Sequence, residues 1–211
     1  MDILQTSSEQ KYHIDNNRRL LKNQHTKDGY AVVDVPNSLF SSMLQKIHSP
    51  STSWIPEAED LEESLRKTGI SSSLGGGDED FFYPFSELYI HDHDPSFFTN
   101  VGIALQSCVE EWSQIPFLQF SNSFGPRKYR ERSLLVPHVD RLPTHILSIS
   151  LTIEYKVRTP WALVLELPED IVEVYLEPGQ MLLYEGAFIS HSRPMPLDGD
   201  YYTNVYFHYY P

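Results

Sequence analysis

The run "VPHVDRLPTH", residues 136 to 145, sets His138 and Asp140 two apart with only Val139 between them, inside an otherwise apolar stretch. In an extended strand residues i and i+2 point to the same face, so the imidazole and the carboxylate would project together. A third donor must come from elsewhere, and His191 in "FISHSR" offers one after four further candidate strands. Two imidazoles and one carboxylate on one side of a metal leave the opposite positions open, a donor set that suits non-haem Fe(II). Mixed nitrogen and oxygen ligation without cysteine fits iron better than a closed structural zinc site. With 9 histidines and 29 acidic residues such a triplet also arises by chance. The alternative is a hydrogen-bonded structural His–Asp pair.

The elements that must position these side chains change character along the chain. Residues 1–27 are polar without sustained periodicity and read as a tail or loosely docked arm, a poor place for chemistry. "GYAVVDV" reads as a short strand, and "SLFSSMLQKIH" places Leu39, Met43, Leu44 and Ile47 on one helix face. A helix is expected from Pro56 to Gly69, followed by a Ser/Gly-rich loop whose Phe81, Phe82 and Tyr83 are placed to act as a lid. "DPSFFTNVGIALQSCVEEWSQI" has the strongest helical spacing, through Phe98, Val101, Leu105, Val109 and Trp112, and reads as a scaffold helix. From about residue 116 short β-rich runs alternate with turn signals, as in a barrel or jelly roll. The expected fold class is α+β, mainly β, with a jelly-roll core at 116–211, helical support at 28–115 and the arm at 1–27.

A chain of 211 residues that is 40% hydrophobic buries one sizeable core, so a single domain over 28–211 is expected. Sixteen basic against 29 acidic residues give a net charge of -13, which opposes phosphate attraction and argues against nucleic acid or an anionic membrane surface as partner. One cysteine, Cys108, allows no internal disulfide and favours a reducing compartment. The N-terminal run lacks a secretory apolar stretch, and no window is long enough to span a bilayer, so a cytoplasmic protein is expected.

The stretch from Tyr129 to the C-terminus resembles the double-stranded β-helix core of the 2-oxoglutarate and Fe(II)-dependent oxygenases, most closely the prolyl 4-hydroxylase-like branch. The resemblance is carried by "YRERSLLVPHVD", by "HILSISLTI", by the Pro-Gly turn of "LEPGQMLLYEG" and by "HSRPMPLDGDYYTNVYFHY" from His191 onward. It implies that His138, Asp140 and His191 hold Fe(II), and that 2-oxoglutarate and O2 are co-substrates, with ascorbate as a possible reductant. It also implies that Tyr129 helps bind the co-substrate; the phenol can donate to a carboxylate, and a buried core tyrosine is the alternative.

One position departs from the pattern. The family places Lys or Arg about ten residues after the distal histidine, to pair with the far carboxylate of 2-oxoglutarate, and this chain has Tyr201 there and no basic residue after Arg193. The planar guanidinium suits a carboxylate, so Arg193, two residues past His191, is the first replacement and Arg141 the second; a rim salt bridge is the alternative for each. The resemblance implies hydroxylation of an unactivated C–H bond, of a prolyl or other residue in a peptide or protein. A free amino acid or small metabolite is the rival substrate, and a non-catalytic, cupin-like metal-binding module the rival function. "HDHDP" offers His91 and His93 at ligand spacing but reads as a loop before a helix. No Gly-x-Ser-x-Gly turn or phosphate loop is present.

Overall fold

The computed structural model describes residues 8–21, 25–51, 53–56, 88–92 and 95–211. In chain order these form α1 (Ser8–Leu21), β1 (Tyr30–Asp34), α2 (Asn37–Ile47), β2 (Ser53–Pro56), β3 (Leu88–Asp92), α3 (Pro95–Ser113), β4 (Gln119–Arg130), β5 (Leu135–His138), β6 (Leu147–Val157), β7 (Leu163–Glu166), β8 (Ile171–Val174), β9 (Gln180–Tyr184), β10 (Ser190–Arg193) and β11 (Gly199–Tyr210). Two antiparallel sheets result, one in the order β1-β9-β6-β11-β4-β3-β2 and one in the order β5-β10-β7-β8. The mainly β, jelly-roll expectation is borne out. The helix expected from Pro56 onward falls outside the described residues beyond Pro56 itself, which ends β2, as do the Ser/Gly-rich loop and His93.

The larger sheet takes its orientation from period-two alternation. Along β6, Leu147, Ile149, Leu151 and Ile153 are fully buried against α2 and α3, packed with Met43, Phe98, Leu105, Val109, Val205 and Phe207. Burying each such side chain stabilises the fold by about 1.5–3 kcal/mol. The intervening Ser148, Ser150 and Thr152 are equally buried but face the inside of the barrel. There Ser150 accepts from Asn204 Nδ2 (3.1 Å) and Thr152 bonds the Tyr202 hydroxyl (2.7 Å). The main apolar cluster thus lies outside the barrel, under the helices, and the inner faces of β6 and β11 are polar, while a second apolar cluster with Leu165 and Leu182 lies on the barrel's inner side toward the smaller sheet. Gly102 on α3 admits the close approach, since a Cβ there would stand 2.2 Å from the Phe120 ring, and its carbonyl accepts from Tyr209 Oη at 2.7 Å.

A bulge in β4 resets which of its residues face inward. Tyr206 and Asn204, two apart on β11, face Phe124 and Arg127, three apart on β4. The extra residue lies at Gly125–Pro126, with Gly125 at φ +91°, where an added Cβ would come 2.7 Å from the Arg127 nitrogen. The inward face therefore continues from Asn122 and Phe124 to Arg127 and Tyr129 instead of changing sides.

The arm at 1–27 departs from expectation: residues 8–21 form a docked helix. Two of its three buried residues are polar. Gln10 and Asn17 are buried beside Ile14, whereas Tyr12 is 65% and Leu20 56% exposed. Asn17 Nδ2 donates to the carbonyls of Asp140 (3.1 Å) and Ala187 (3.0 Å), and Arg18 donates to those of Phe188 and Glu166. The buried Glu185 carboxylate accepts from the backbone of His25 and Thr26 and from the Thr26 hydroxyl, fixing the link from helix to β1. Among the described residues no helix is long and apolar enough to cross a membrane.

Asn17→Ala removes the donor for two carbonyls and is expected to destabilise the protein by about 1–3 kcal/mol in urea unfolding. Tyr12→Ala, on the outer face of the same helix, is expected to stay within about 0.5 kcal/mol. Equal losses would mean that α1 is held by its outer face.

Candidate metal centre

β5 and β10 are neighbours in the smaller sheet, with His191 directly opposite His138, so their rings meet at 4.2 Å between centroids. Asp140 lies two residues past the end of β5, and its backbone N–H donates to the Gly186 carbonyl at 2.8 Å. The pairing inferred from strand alternation is therefore completed by a fixed loop. One donor atom from each of His138, Asp140 and His191 lies within 4.8 Å of the other two.

Backbone carbonyls set the tautomers. His138 Nδ1 is 2.9 Å from the Val136 carbonyl and His191 Nδ1 is 3.0 Å from that of Ile189. A carbonyl only accepts, so each Nδ1 carries the proton and each Nε2 presents a lone pair to the shared space. Asp140 divides its oxygens: Oδ1 lies 3.6 Å from His191 Nε2, and Oδ2 accepts from Ser148 Oγ at 2.6 Å. Ser148, its proton given to Asp140, accepts in turn from His208 Nδ1 at 3.0 Å. Gly186 closes the cradle, since a Cβ there would stand 2.0 Å from Asp140 Oδ2 and 2.4 Å from Ser148 Oγ.

Burial pushes the His138 imidazole down to about 3, helped by His191, and pushes His208 down to about 3 as well, against the pull of Asp140. Both rings are therefore neutral at physiological pH. Burial alone would raise the Asp140 carboxyl, but the imidazoles of His191, His208 and His138 and the Ser148 hydroxyl outweigh it and hold the group down to about 2. Among the described residues its only ion-pair neighbours within 4.0 Å are histidine rings. A buried anion facing two imidazole lone pairs fits a cation, and nitrogen with hard oxygen donors fits Fe(II).

The other expected residues divide. Tyr129 is fully buried, lines the cavity beside the triad and bonds the Tyr206 hydroxyl at 2.7 Å. Arg141 lines the cavity from its exposed side. Arg193 is 1% exposed and does not line the cavity. Its guanidinium lies 4.4 Å from the Trp161 ring and 4.5 Å from the Tyr202 ring, one Nη donates to the Trp161 carbonyl, and Nε has no hydrogen-bond partner. No carboxylate among the described residues pairs with it. His91 falls within β3, so "HDHDP" begins in a strand and not in a loop. Two features escape a reading of the sequence: Arg127, buried and lining the cavity from β4, and the inner face of α1. Arg127 stands at i−2 from Tyr129, the spacing that places it on the same face.

No protein-family model matches the sequence, and no curated protein is similar to it. Solved structures are. An oxidoreductase of the 2OG-Fe(II) oxygenase family from Burkholderia pseudomallei aligns over 100% of this chain and 93% of its own, with a TM-score of 0.55 at 8% identity. HygX from Streptomyces hygroscopicus, solved with nickel, 2-oxoglutarate and hygromycin B, aligns over 98% and 88%, with a TM-score of 0.52 at 14% identity. A prolyl hydroxylase from Trichoplax adhaerens, in complex with a hypoxia-inducible-factor peptide fragment, aligns over 95% and 94%, with a TM-score of 0.50 at 12% identity. The likeness is one of fold: this chain has the jelly-roll fold of 2-oxoglutarate and Fe(II)-dependent oxygenases.

Proposed function

We propose that the protein is an Fe(II)- and 2-oxoglutarate-dependent dioxygenase that hydroxylates an unactivated C–H bond. The observation that carries this reading is a buried carboxylate that shares its space with two imidazole lone pairs. Among the described residues the Asp140 carboxylate has only histidine rings as ion-pair neighbours, with the Ser148 hydroxyl donating to one oxygen. A cation between the three donors satisfies this charge, which alone would cost several kcal/mol to bury.

In this reading His138 Nε2, Asp140 Oδ1 and His191 Nε2 hold the iron, and the carbonyls of Val136 and Ile189 keep the two rings oriented. Ser148 holds Asp140 so that one oxygen faces the metal. Arg193 stands behind the cavity wall, so the distal carboxylate of the co-substrate falls to the arginines that line the cavity, Arg127 and Arg141, with the Tyr129 hydroxyl as a further donor. When bound, the iron would activate O2, one oxygen atom going into succinate as 2-oxoglutarate is oxidised with loss of CO2 and the other into the substrate C–H bond. Asn17 and the inner face of α1 keep water from the triad while the substrate carbon is positioned.

Metal-free protein given Fe(II) under anaerobic conditions, with and without 2-oxoglutarate, tests this through the visible charge-transfer band of a chelated 2-oxo acid. The band is expected only with both, and not in His191→Ala. Iron binding without the band would replace the oxygenase with a metal-binding module. Arg127→Met is expected to keep its iron affinity and weaken 2-oxoglutarate about tenfold or more, the loss of one charge-assisted hydrogen bond; unchanged 2-oxoglutarate affinity would remove Arg127 from the site.

Gly186→Ala must displace the Asp140 carboxylate. Its Fe(II) affinity, read by competition with a chelator, is expected to fall about 10–100-fold, as when an outer-shell partner is lost.

A further inference from the structure

The triad opens into a cavity of about 590 Å³, within the range of small-molecule sites. Beside the triad its wall carries a further imidazole, that of the buried His208 on β11. His208 Nδ1 lies 3.0 Å from Ser148 Oγ and 3.8 Å from Asp140 Oδ2, so the ring stands at the edge of the metal centre. The ring of His145 packs on it with centroids 4.0 Å apart and a tilt of 34°, which holds its plane.

Proton order along these bonds is fixed. Ser148 has one hydroxyl proton, and it goes to Asp140 Oδ2 at 2.6 Å. The serine oxygen then only accepts from the ring, so His208 Nδ1 carries the imidazole proton. Burial keeps the ring neutral, which leaves a lone pair on Nε2. Among the described residues the only hydrogen bond of His208 is the one to Ser148, and Nε2 is not sealed inside the protein. The lone pair therefore opens on the cavity.

Other polar groups of the wall are less one-sided. Asn16 and Asn17 on α1 and Asn122 on β4 are amides, which both donate and accept. His208 Nε2 only accepts. A ligand acceptor set against it would meet lone pair with lone pair and lose its water without replacement, so the group placed there must be a donor. That donor lies one imidazole's width from a metal ligand, close to the carbon presented to the metal.

Resting on the oxygenase reading, we propose that His208 is a specificity-determining residue whose Nε2 accepts a hydrogen bond from the substrate, and that the substrate is a small molecule with a hydroxyl or amide N–H donor next to the carbon that is oxidised. A prolyl residue within a chain fits poorly, because its tertiary amide has no N–H.

The nitrogen NMR spectrum of the metal-free protein, with His208→Gln to assign the signals, reads the tautomer: Nδ1 is expected protonated and Nε2 bare. The reverse tautomer would overturn the proposal. Calorimetric titration of the anaerobic protein, loaded with Fe(II) and saturated with 2-oxoglutarate, then compares matched probes. Cyclic alcohols are set against their methyl ethers, and N-acetyl amino acid methylamides against N-acetylproline dimethylamide, which has no donor. At least one donor probe is expected to bind about tenfold or more tightly than its partner, and the two series separate hydroxyl from amide. Two variants divide the ring, since asparagine reproduces the near nitrogen and glutamine the far one. His208→Asn is expected to keep its Fe(II) affinity and erase the donor preference, whereas His208→Gln keeps the preference and loses Fe(II) affinity about tenfold or more. Absence of a preference in every pair, a preference undiminished in His208→Asn, or joint loss of preference and iron in both variants would overturn the proposal. If neither variant folds, the tautomer, assigned through the neighbouring Ser148→Ala, and the probe pairs carry the test. If the charge-transfer band fails to form, the oxygenase reading falls separately, and the tautomer and the donor preference are still read on the metal-free protein.

Discussion

The arrangement depends on the burial of one carboxylate. Asp140 is ionised where water is nearly excluded, and an isolated charge in that position would unfold its surroundings or take up a proton. Neutral imidazoles cannot balance it. They share it through dipoles: Ser148 donates to one oxygen, His208 supports Ser148, and the second oxygen is turned toward His191. The backbone of the same residue is held from both sides, its N–H by Gly186 and its carbonyl by Asn17. Loop, turn and helix therefore meet at a single residue whose charge is compensated only when a cation joins it.

A polar barrel interior is tolerable because the hydrophobic stabilisation is placed elsewhere. β6 and β11 give their apolar residues to the helices, where Leu147, Ile149, Leu151, Val205, Phe207 and Tyr209 form the main cluster with α2 and α3. Their alternate residues, from Ser148 to Thr152 and from Tyr202 to His208, are free to be hydroxyl, amide or imidazole. Had the helices been absent, the same strands would have needed apolar residues inside, and no room for ligands would remain. A second apolar cluster, around Leu163, Leu165, Leu182 and Ile189, closes the barrel at the side of the smaller sheet.

Legibility in the sequence follows the same division. α2, α3 and the strands from Leu135 onward show apolar periodicity because they pack on apolar surface, and His138, Asp140 and His191 stand out as polar residues interrupting it. α1 is illegible for the opposite reason: its buried positions are Gln10, Ile14 and Asn17, so a search for an apolar stripe finds a single residue. Arg127 shares the face of Tyr129 by its i−2 spacing and could have been found from it, whereas the bulge at Gly125, which changes the inward parity of β4 relative to Asn122 and Phe124, is visible only once the partner strand is known. Arg193 is found by spacing from His191, yet the register shift in β10 and the rings of Trp161 and Tyr202 place it behind the cavity wall and not on it.

An acidic protein with a cationic cavity sets two electrostatic effects against each other. The net charge of -13 repels an anion at long range, but at physiological ionic strength that repulsion is screened beyond about 8 Å. Inside the cavity the distances are those of direct contact and the medium is far less polarisable. There a guanidinium and an anionic group about 4 Å apart interact by about 4 kcal/mol at an effective dielectric constant near 20, against about 1 kcal/mol in water. The local attraction wins once a ligand is at the mouth. The acidic exterior acts on the approach, and the bound state is decided by the few side chains of β4 and α1 that face inward.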